Sequence, residues 1–380
     1  MKVGLIIAQS GSPTAVTDPG RVATIAAQAV NDGGGIHGRE LDVRICDTKG
    51  QPASSLACAR KLAGEGVVAF IGGSSANGIA KISKAKKITN WFPMGSDPTD
   101  VTNPLSFITA LNSAGAAQGA YLGARRFDAR SAVYVVRQGT RTYIDQAKYG
   151  YAQAGVRDVH VVEIPMDVTD YAPYIAKIKS YGTDVWGGML YPPSAQTQLI
   201  QAASAAGLKT PFVSSNNVIE NATIKALSKA PFPNSLALEK LEDADASPVW
   251  AEYQRQLTKY DPHHKVTGPS DGTTSTDWYA VWSFAQEAKK LKTVTVDSFR
   301  EHVTKLTDFG PDIDSDLLHP IDFTKDSPVK GQPRQSNIWA YAGHVAGGTT
   351  AVDRTTPFSA WQKTSIRPWT AAQIKAATGK

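Results

Sequence analysis

No uninterrupted apolar run in this chain approaches the ~18 residues that a bilayer-spanning helix needs, so the sequence offers no membrane span. Signatures of the common catalytic sites are missing as well: there is no G-x-S-x-G elbow, no P-loop, no H-E-x-x-H and no C-x-x-C. Those absences remove the usual routes to acyl transfer, nucleotide hydrolysis, zinc chemistry and dithiol exchange. The histidines fall into no metal-ligand or triad spacing. His263 and His264 adjoin Pro262 in a polar stretch and are read as solvent-exposed, since adjacent residues seldom point at one ion. Cysteine is scarce too. Cys46 and Cys58 are too few to complete a structural zinc site. Cys46 ends a strand and Cys58 falls on the helix after it, which leaves a disulfide closing this loop or two buried thiols. A disulfide would imply an oxidising compartment.

What the chain does contain is ordinary globular material. Hydrophobic residues make up 42% and charged residues 19% of 380, a length that suits two domains better than one core. The net charge of +6 is spread along the sequence. Its densest cluster, Lys81, Lys84, Lys86 and Lys87, reads as the solvated face of a helix and not as a nucleic-acid patch.

Strands and helices alternate over the first half of the chain. Apolar strands at 3–8, 41–46 and 67–71 are separated by helices at 20–31 and 53–64, and a helix at 77–87 precedes strands at 91–94 and 106–109. In the first helix Val22, Ile25, Ala26, Ala29 and Val30 form one apolar stripe. The pattern then restarts with a helix at 113–126. Strands at 131–136, 159–163, 185–190 and 211–214 alternate with helices at 142–154, 170–180 and 194–206. Such alternation predicts right-handed βαβ units in two doubly wound parallel sheets. Helices at 248–258 and 275–290 follow, with a polar loop at 261–274 between them and one late strand at 337–341. The predicted division is 1–113 plus 239–320 for one lobe and 114–238 plus 321–380 for the other. Crossovers are placed near 112–116, 235–241 and 318–324, and the expected ligand cleft lies between the lobes.

Gly33-Gly34-Gly35-Ile36-His37-Gly38 matches the dinucleotide fingerprint by letter, but it follows a helix and precedes a strand. The reversed context makes it a helix-ending turn. Polar residues at strand ends carry more promise. Gly72-Gly73-Ser74-Ser75-Ala76-Asn77 follows a buried strand and opens a helix, where free N–H groups and serine hydroxyls can seat a carboxylate or simply cap the helix. Gly95-Ser96-Asp97-Pro98 sits after the next strand. In the second lobe Tyr143 follows the first strand and Tyr191 ends a later one, each able to cover a ligand or to pack internally.

Several longer stretches together resemble the branched-chain amino-acid family of ABC-transporter binding proteins. They are residues 29–41 with their Gly34-Gly35-Ile36 turn, Cys46-Asp47-Thr48-Lys49-Gly50-Gln51-Pro52, Phe70-Ile71-Gly72-Gly73-Ser74-Ser75, and Ala205-Ala206-Gly207-Leu208-Lys209-Thr210-Pro211. The resemblance runs from Val3 to about Tyr341. It implies a type I periplasmic-binding fold, an exported protein whose signal peptide is not part of this sequence, and hinge closure around a small molecule presented to an ABC permease. No cofactor, metal or nucleic acid is implied. Carried over residue by residue, the ligand's carboxylate would meet Ser74, Ser75, Ser96 and Asp97, while Tyr143 and Tyr191 close the other side; Asn77, at the end of the serine loop, is expected among the ligand contacts. The loop after Phe212 often supplies an acid for the ligand's ammonium, whereas this sequence has Asn216. Asp97 or Asp277 would then have to replace that charge, or the ligand is an amine-free carboxylate, amide or aromatic compound. Trp91, Trp186 and Trp278 either enrich the cleft or fill the core. The main alternative is a ligand-sensing regulatory protein of the same fold, and the missing motifs leave little room for an enzyme.

Overall fold

The computed structural model describes residues 1–11, 18–73, 78–92, 98–109, 111–214, 248–263, 272–310, 320–346 and 349–378. Strand β1 (Lys2–Ile7) is buried after its first residue, as an apolar strand covered on both faces must be. Helix α1 (Asp18–Asp32) buries Val22, Ile25, Ala26 and Val30 along its stripe. The helix stops at the glycine turn. Gly33 N–H reaches Ala29 O at 3.1 Å and Gly35 N–H reaches Val30 O at 2.9 Å. Gly35 sits at φ +70°, and a Cβ there would collide with the carbonyl of Arg39, so only glycine serves.

β2 (Asp42–Asp47), α2 (Pro52–Gly64), β3 (Ala69–Ile71), α3 (Ile79–Lys86), β4 (Thr89–Trp91), the short α4 (Pro98–Val101) and β5 (Ser106–Phe107) follow. Their sheet is parallel, in the order β2-β1-β3-β4-β5. Cys46 and Cys58 form a disulfide that ties β2 to α2. The lysines of α3, with Lys87, are exposed.

The second run begins with α5 (Asn112–Arg126). β6 (Ser131–Arg137), α6 (Arg141–Gln153), β7 (Asp158–Ile164), α7 (Ala172–Ser180), β8 (Val185–Met189), α8 (Pro193–Ala205) and β9 (Phe212–Ser214) build another parallel sheet, ordered β7-β6-β8-β9. Three further helices come next: α9 (Pro248–Tyr260), α10 (Gly272–Lys289) and α11 (Val296–Val303). A Thr295–Ser298 capping box starts α11, a signal the sequence reading passed over. An antiparallel pair, β10 (Ala340–Ala346) and β11 (Thr349–Phe358), and then α12 (Ala371–Thr378) complete the described chain.

The chain divides into two compact units, Met1–Leu111 with Asp243–Asn337, and Asn112–Glu242 with Ile338–Lys380. Residues 321–337 thus belong with the first unit and do not open the second near 321. Phe309 and Ile321 exchange backbone hydrogen bonds at 2.9 Å, Phe323 packs on Phe107, and Arg334 N–H reaches Val101 O at 2.9 Å. The late strand starts at Ala340 and not at Asn337, because Ser336 N–H and the Asn337 side chain are engaged by Ile108 O and Thr109 O. It also has a partner that the sequence reading missed.

The two cores differ in aromatic content, although the first unit also packs an aliphatic cluster that includes Ile6, Leu62, Val67 and Ile79. Trp91 lies at the centre of the first, its ring within 6 Å of those of Phe92, Phe107, Phe299, Phe309 and Phe323, at centroid distances of 4.3, 5.8, 5.7, 5.4 and 5.8 Å. The second core is mainly aliphatic, with Val133, Val135, Ile175, Leu199 and Ile200 packed around Trp186 and Phe212. Among the described residues no helix is long and apolar enough to cross a membrane.

Candidate functional site

Open parallel sheets bind ligands outside the carboxyl ends of their strands, where the strand order reverses. In the first unit that point lies between β1 and β3, and in the second between β6 and β8.

At the end of β3 the chain turns through Gly72 and Gly73, at φ +57° and +78°. Gly73 N–H donates to Asp277 Oδ1 at 2.6 Å. A Cβ on Gly72 would strike that same oxygen, and one on Gly73 would strike Ile6 O of β1. The turn is therefore pressed between β1 and α10, and only glycines fit. Asp277 is 1% exposed, and among the described residues its Oδ2 has no hydrogen-bond partner. Burial pushes its carboxyl up to about 7, against the pull of the Gly73 bond. A second acid holds the neighbouring loops. Asp47, which ends β2, accepts from Gln9 N–H and Lys49 N–H at 2.9 Å and from Ser10 N–H at 3.3 Å through Oδ1. Its Oδ2 accepts from Ser10 Oγ at 2.5 Å. These bonds, that of the Ser10 hydroxyl first, hold the Asp47 carboxyl down at about 2.

In the second unit the last residue of β6 is Arg137, 5% exposed. Its Nε donates to Tyr191 O at 3.1 Å, Nη1 donates to Pro165 O, and Nη2 reaches Tyr171 Oη at 3.4 Å. One guanidinium thus joins the end of β6 to the loops that follow β7 and β8. Tyr143 lies in the first turn of α6, partly buried, and burial pushes its phenol up to about 12. It stays a neutral donor at any physiological pH. Tyr191 follows β8 with its side chain partly buried and its carbonyl on Arg137.

Of the residues singled out from sequence, Tyr143 and Tyr191 lie at the carboxyl edge of the second sheet and Asp277 at that of the first. Ser74, Ser75, Asn77, Ser96, Asp97 and Asn216 lie outside the described residues. Trp91, Trp186 and Trp278 are core residues, each 0% exposed, with their indole N–H groups on Ser283 Oγ, Thr210 O and Gln256 Oε1. Sequence reasoning missed Arg137 and Asp47. Each ends a strand, and a charge at a strand end reads as the start of a solvated loop. Among the described residues no cluster of His, Cys, Asp or Glu could hold a metal ion.

A family model described as periplasmic binding protein matches residues 1–344. The "Leu/Ile/Val-binding protein homolog 1" of Brucella abortus (strain 2308) is 26% identical over 216 residues, covering 52% of this chain and 56% of that protein. The chain spans about half the length of the curated relatives it matches. A leucine binding protein of Thermotoga maritima superposes with a TM-score of 0.73 at 14% identity, covering 94% of this chain and 98% of that one. An ABC-transporter solute binding protein of R. palustris, solved with benzoate, superposes with a TM-score of 0.67 at 17% identity, over 92% and 94%. Identities this low speak for the fold alone.

Proposed function

This chain belongs to the periplasmic binding protein family, and from that premise we propose that it is the solute-binding component of an ABC importer. On this reading it takes up a small carboxylate-bearing molecule at the strand carboxyl edges, closes by hinge motion and presents the ligand to a membrane permease. The observation that carries the reading is the tight Gly72–Gly73 turn at the switch point of the first sheet, fixed by Asp277 just before Ser74. A rigid turn is what a loop needs if its following residues are to meet a ligand without paying to order themselves. We assign the ligand contacts to Ser74, Ser75, Asn77, Ser96 and Asp97 on one side and to Tyr143, Tyr191 and Asn216 on the other. Asp277 serves the first group by holding the turn. The relatives' names offer two kinds of ligand to try, aliphatic amino acids and aromatic carboxylates.

An extracytoplasmic location, in a periplasm or as a surface lipoprotein, accords with the Cys46–Cys58 disulfide. The same bond weighs against the cytosolic form of the second reading, a ligand-sensing regulatory protein of the same fold.

A thermal-shift screen against free amino acids and against amine-free carboxylates and aromatics tests the proposal. A ligand at a hundred times its Kd adds about 2.7 kcal/mol and raises Tm by several degrees. A shift in either panel is the expected result, and silence in both sinks the solute-binding reading.

A further inference from the structure

We propose that Arg137 selects the charge of the ligand, favouring a carboxylate that carries no ammonium group over both an amino acid and a neutral amide. The proposal rests on the solute-binding reading above and deepens it.

Arg137 is 5% exposed, and all three of its partners are neutral: two backbone carbonyls and the hydroxyl of Tyr171. Among the described residues it has no ion pair. The carboxylates in the sequence around it are turned elsewhere. Asp145 pairs with Arg141 at 3.0 Å and Asp170 accepts from Ala172 N–H at 2.9 Å, while Glu163 and Asp167 are exposed. Carbonyl dipoles solvate a buried cation but leave its charge uncompensated.

Position gives this charge a function. β6 pairs with both β7 and β8, so its carboxyl end is the switch point of the sheet. A guanidinium has more N–H donors than the three bonds use, and it brings a positive charge. A carboxylate arriving at this edge gains a charge-assisted interaction, whereas an ammonium arriving with it is repelled. The Tyr143 phenol, kept neutral by burial, adds a donor to the same edge and no negative charge. In the first unit the Asp277 carboxyl is committed to Gly73 N–H and is held partly protonated near neutrality, which makes it a poor partner for an ammonium.

The test is calorimetric titration at pH 7 with matched probes: 4-methylpentanoate, its amide and leucine, then benzoate and benzamide. Wild-type protein is expected to bind at least one carboxylate about tenfold or more tightly than its amide, and more tightly than leucine. In Arg137→Gln the carboxylate-to-amide ratio should fall toward one, while a purely structural role would weaken both probes equally. Arg137→Lys keeps the charge and should keep the preference, which covers the case in which the glutamine variant does not fold. Equal or tighter binding of an amide or of leucine by wild type overturns the charge proposal and leaves the solute-binding reading standing. Silence with every probe overturns the charge proposal, and the solute-binding reading falls with it only if both thermal-shift panels are silent as well.

Discussion

In the first unit the loops leaving β1, β2 and β3 turn backbone N–H groups toward carboxylates, those of Asp47 and Asp277. In the second unit the loops after β7 and β8 turn backbone carbonyls toward a guanidinium, that of Arg137. Both sheets are parallel and doubly wound, yet their carboxyl edges are fastened by charges of opposite sign. The difference shows that the orphan backbone groups of a loop decide which ionisable side chain can be buried beside it, since each must find a partner of the opposite kind. It also divides the two edges by their response to pH. A carboxyl can gain or lose its proton within the physiological range once burial has moved it, and a guanidinium cannot.

The largest effect expected from this comparison lies in the cores beneath the two edges. Trp91→Ala removes the hub of the aromatic cluster and its bond to Ser283, whereas Trp186→Ala removes a ring that meets Phe212 within an aliphatic core, together with its bond to Thr210 O. Both should cost about 3–5 kcal/mol, with the Trp91 variant at the upper end. Urea titrations of the two variants check this. Equal losses would mean that the ring cluster is no more stabilising than aliphatic packing.

Next in size is the disulfide. Reducing Cys46–Cys58, which closes a loop of separation 12, should lower stability by about 3 kcal/mol. Hydrogen exchange with and without reductant should show β1 and β2 losing protection while β6 and β8 keep theirs. Equal loss in both sheets would show that the bond supports more than its own unit.

Over a single pH unit, the smallest effect is the most specific to the edges. The carboxyl of Asp277 is raised from 3.8 to about 7, so the folded chain holds this proton more tightly than the unfolded chain does. Its contribution is fully present below about pH 4 and is lost as pH rises through about 7, at no more than about 1.4 kcal/mol per pH unit. Asp47 behaves in the opposite sense. Its carboxyl is lowered to about 2, so its contribution is present above about pH 4 and is lost as pH falls toward 2. Asp277→Asn keeps an acceptor for Gly73 N–H and should flatten the Tm profile between pH 5 and 7, within the window set by those values. If the variant keeps the wild-type slope, the pH dependence arises elsewhere.

Much of the fold could be read from the chain because local patterns are redundant. β1, β6 and β8 are short apolar runs, and α1 carries an apolar stripe that ends at a glycine turn in which Gly35 leaves no room for a side chain. The tail was harder. Thr349–Phe358 is a threonine-rich run separated from β10 by Gly347-Gly348, a hairpin signal that the reading of one late strand overlooked. The last crossover was misplaced for a different reason. No local feature of residues 321–337 announces that Phe323 will pack on Phe107 or that Arg334 will bond to Val101. At the candidate site the positions of Tyr143 and Tyr191 beyond their strands were legible, and Arg137 was not.

The amino-acid sequence by itself determined the alternation of strands and helices, the glycine turns and the positions where parallel strands end, because each depends on residues within one or two turns of chain. Only the tertiary structure decided which ionisable groups hold those ends. Pro165, Tyr171 and Tyr191 meet Arg137 across gaps of up to 54 residues, and Gly73 meets Asp277 across 204. A hydrogen bond over such a distance follows from the order in which strands are laid side by side. The residues that make it carry no mark of that order until the sheet has formed.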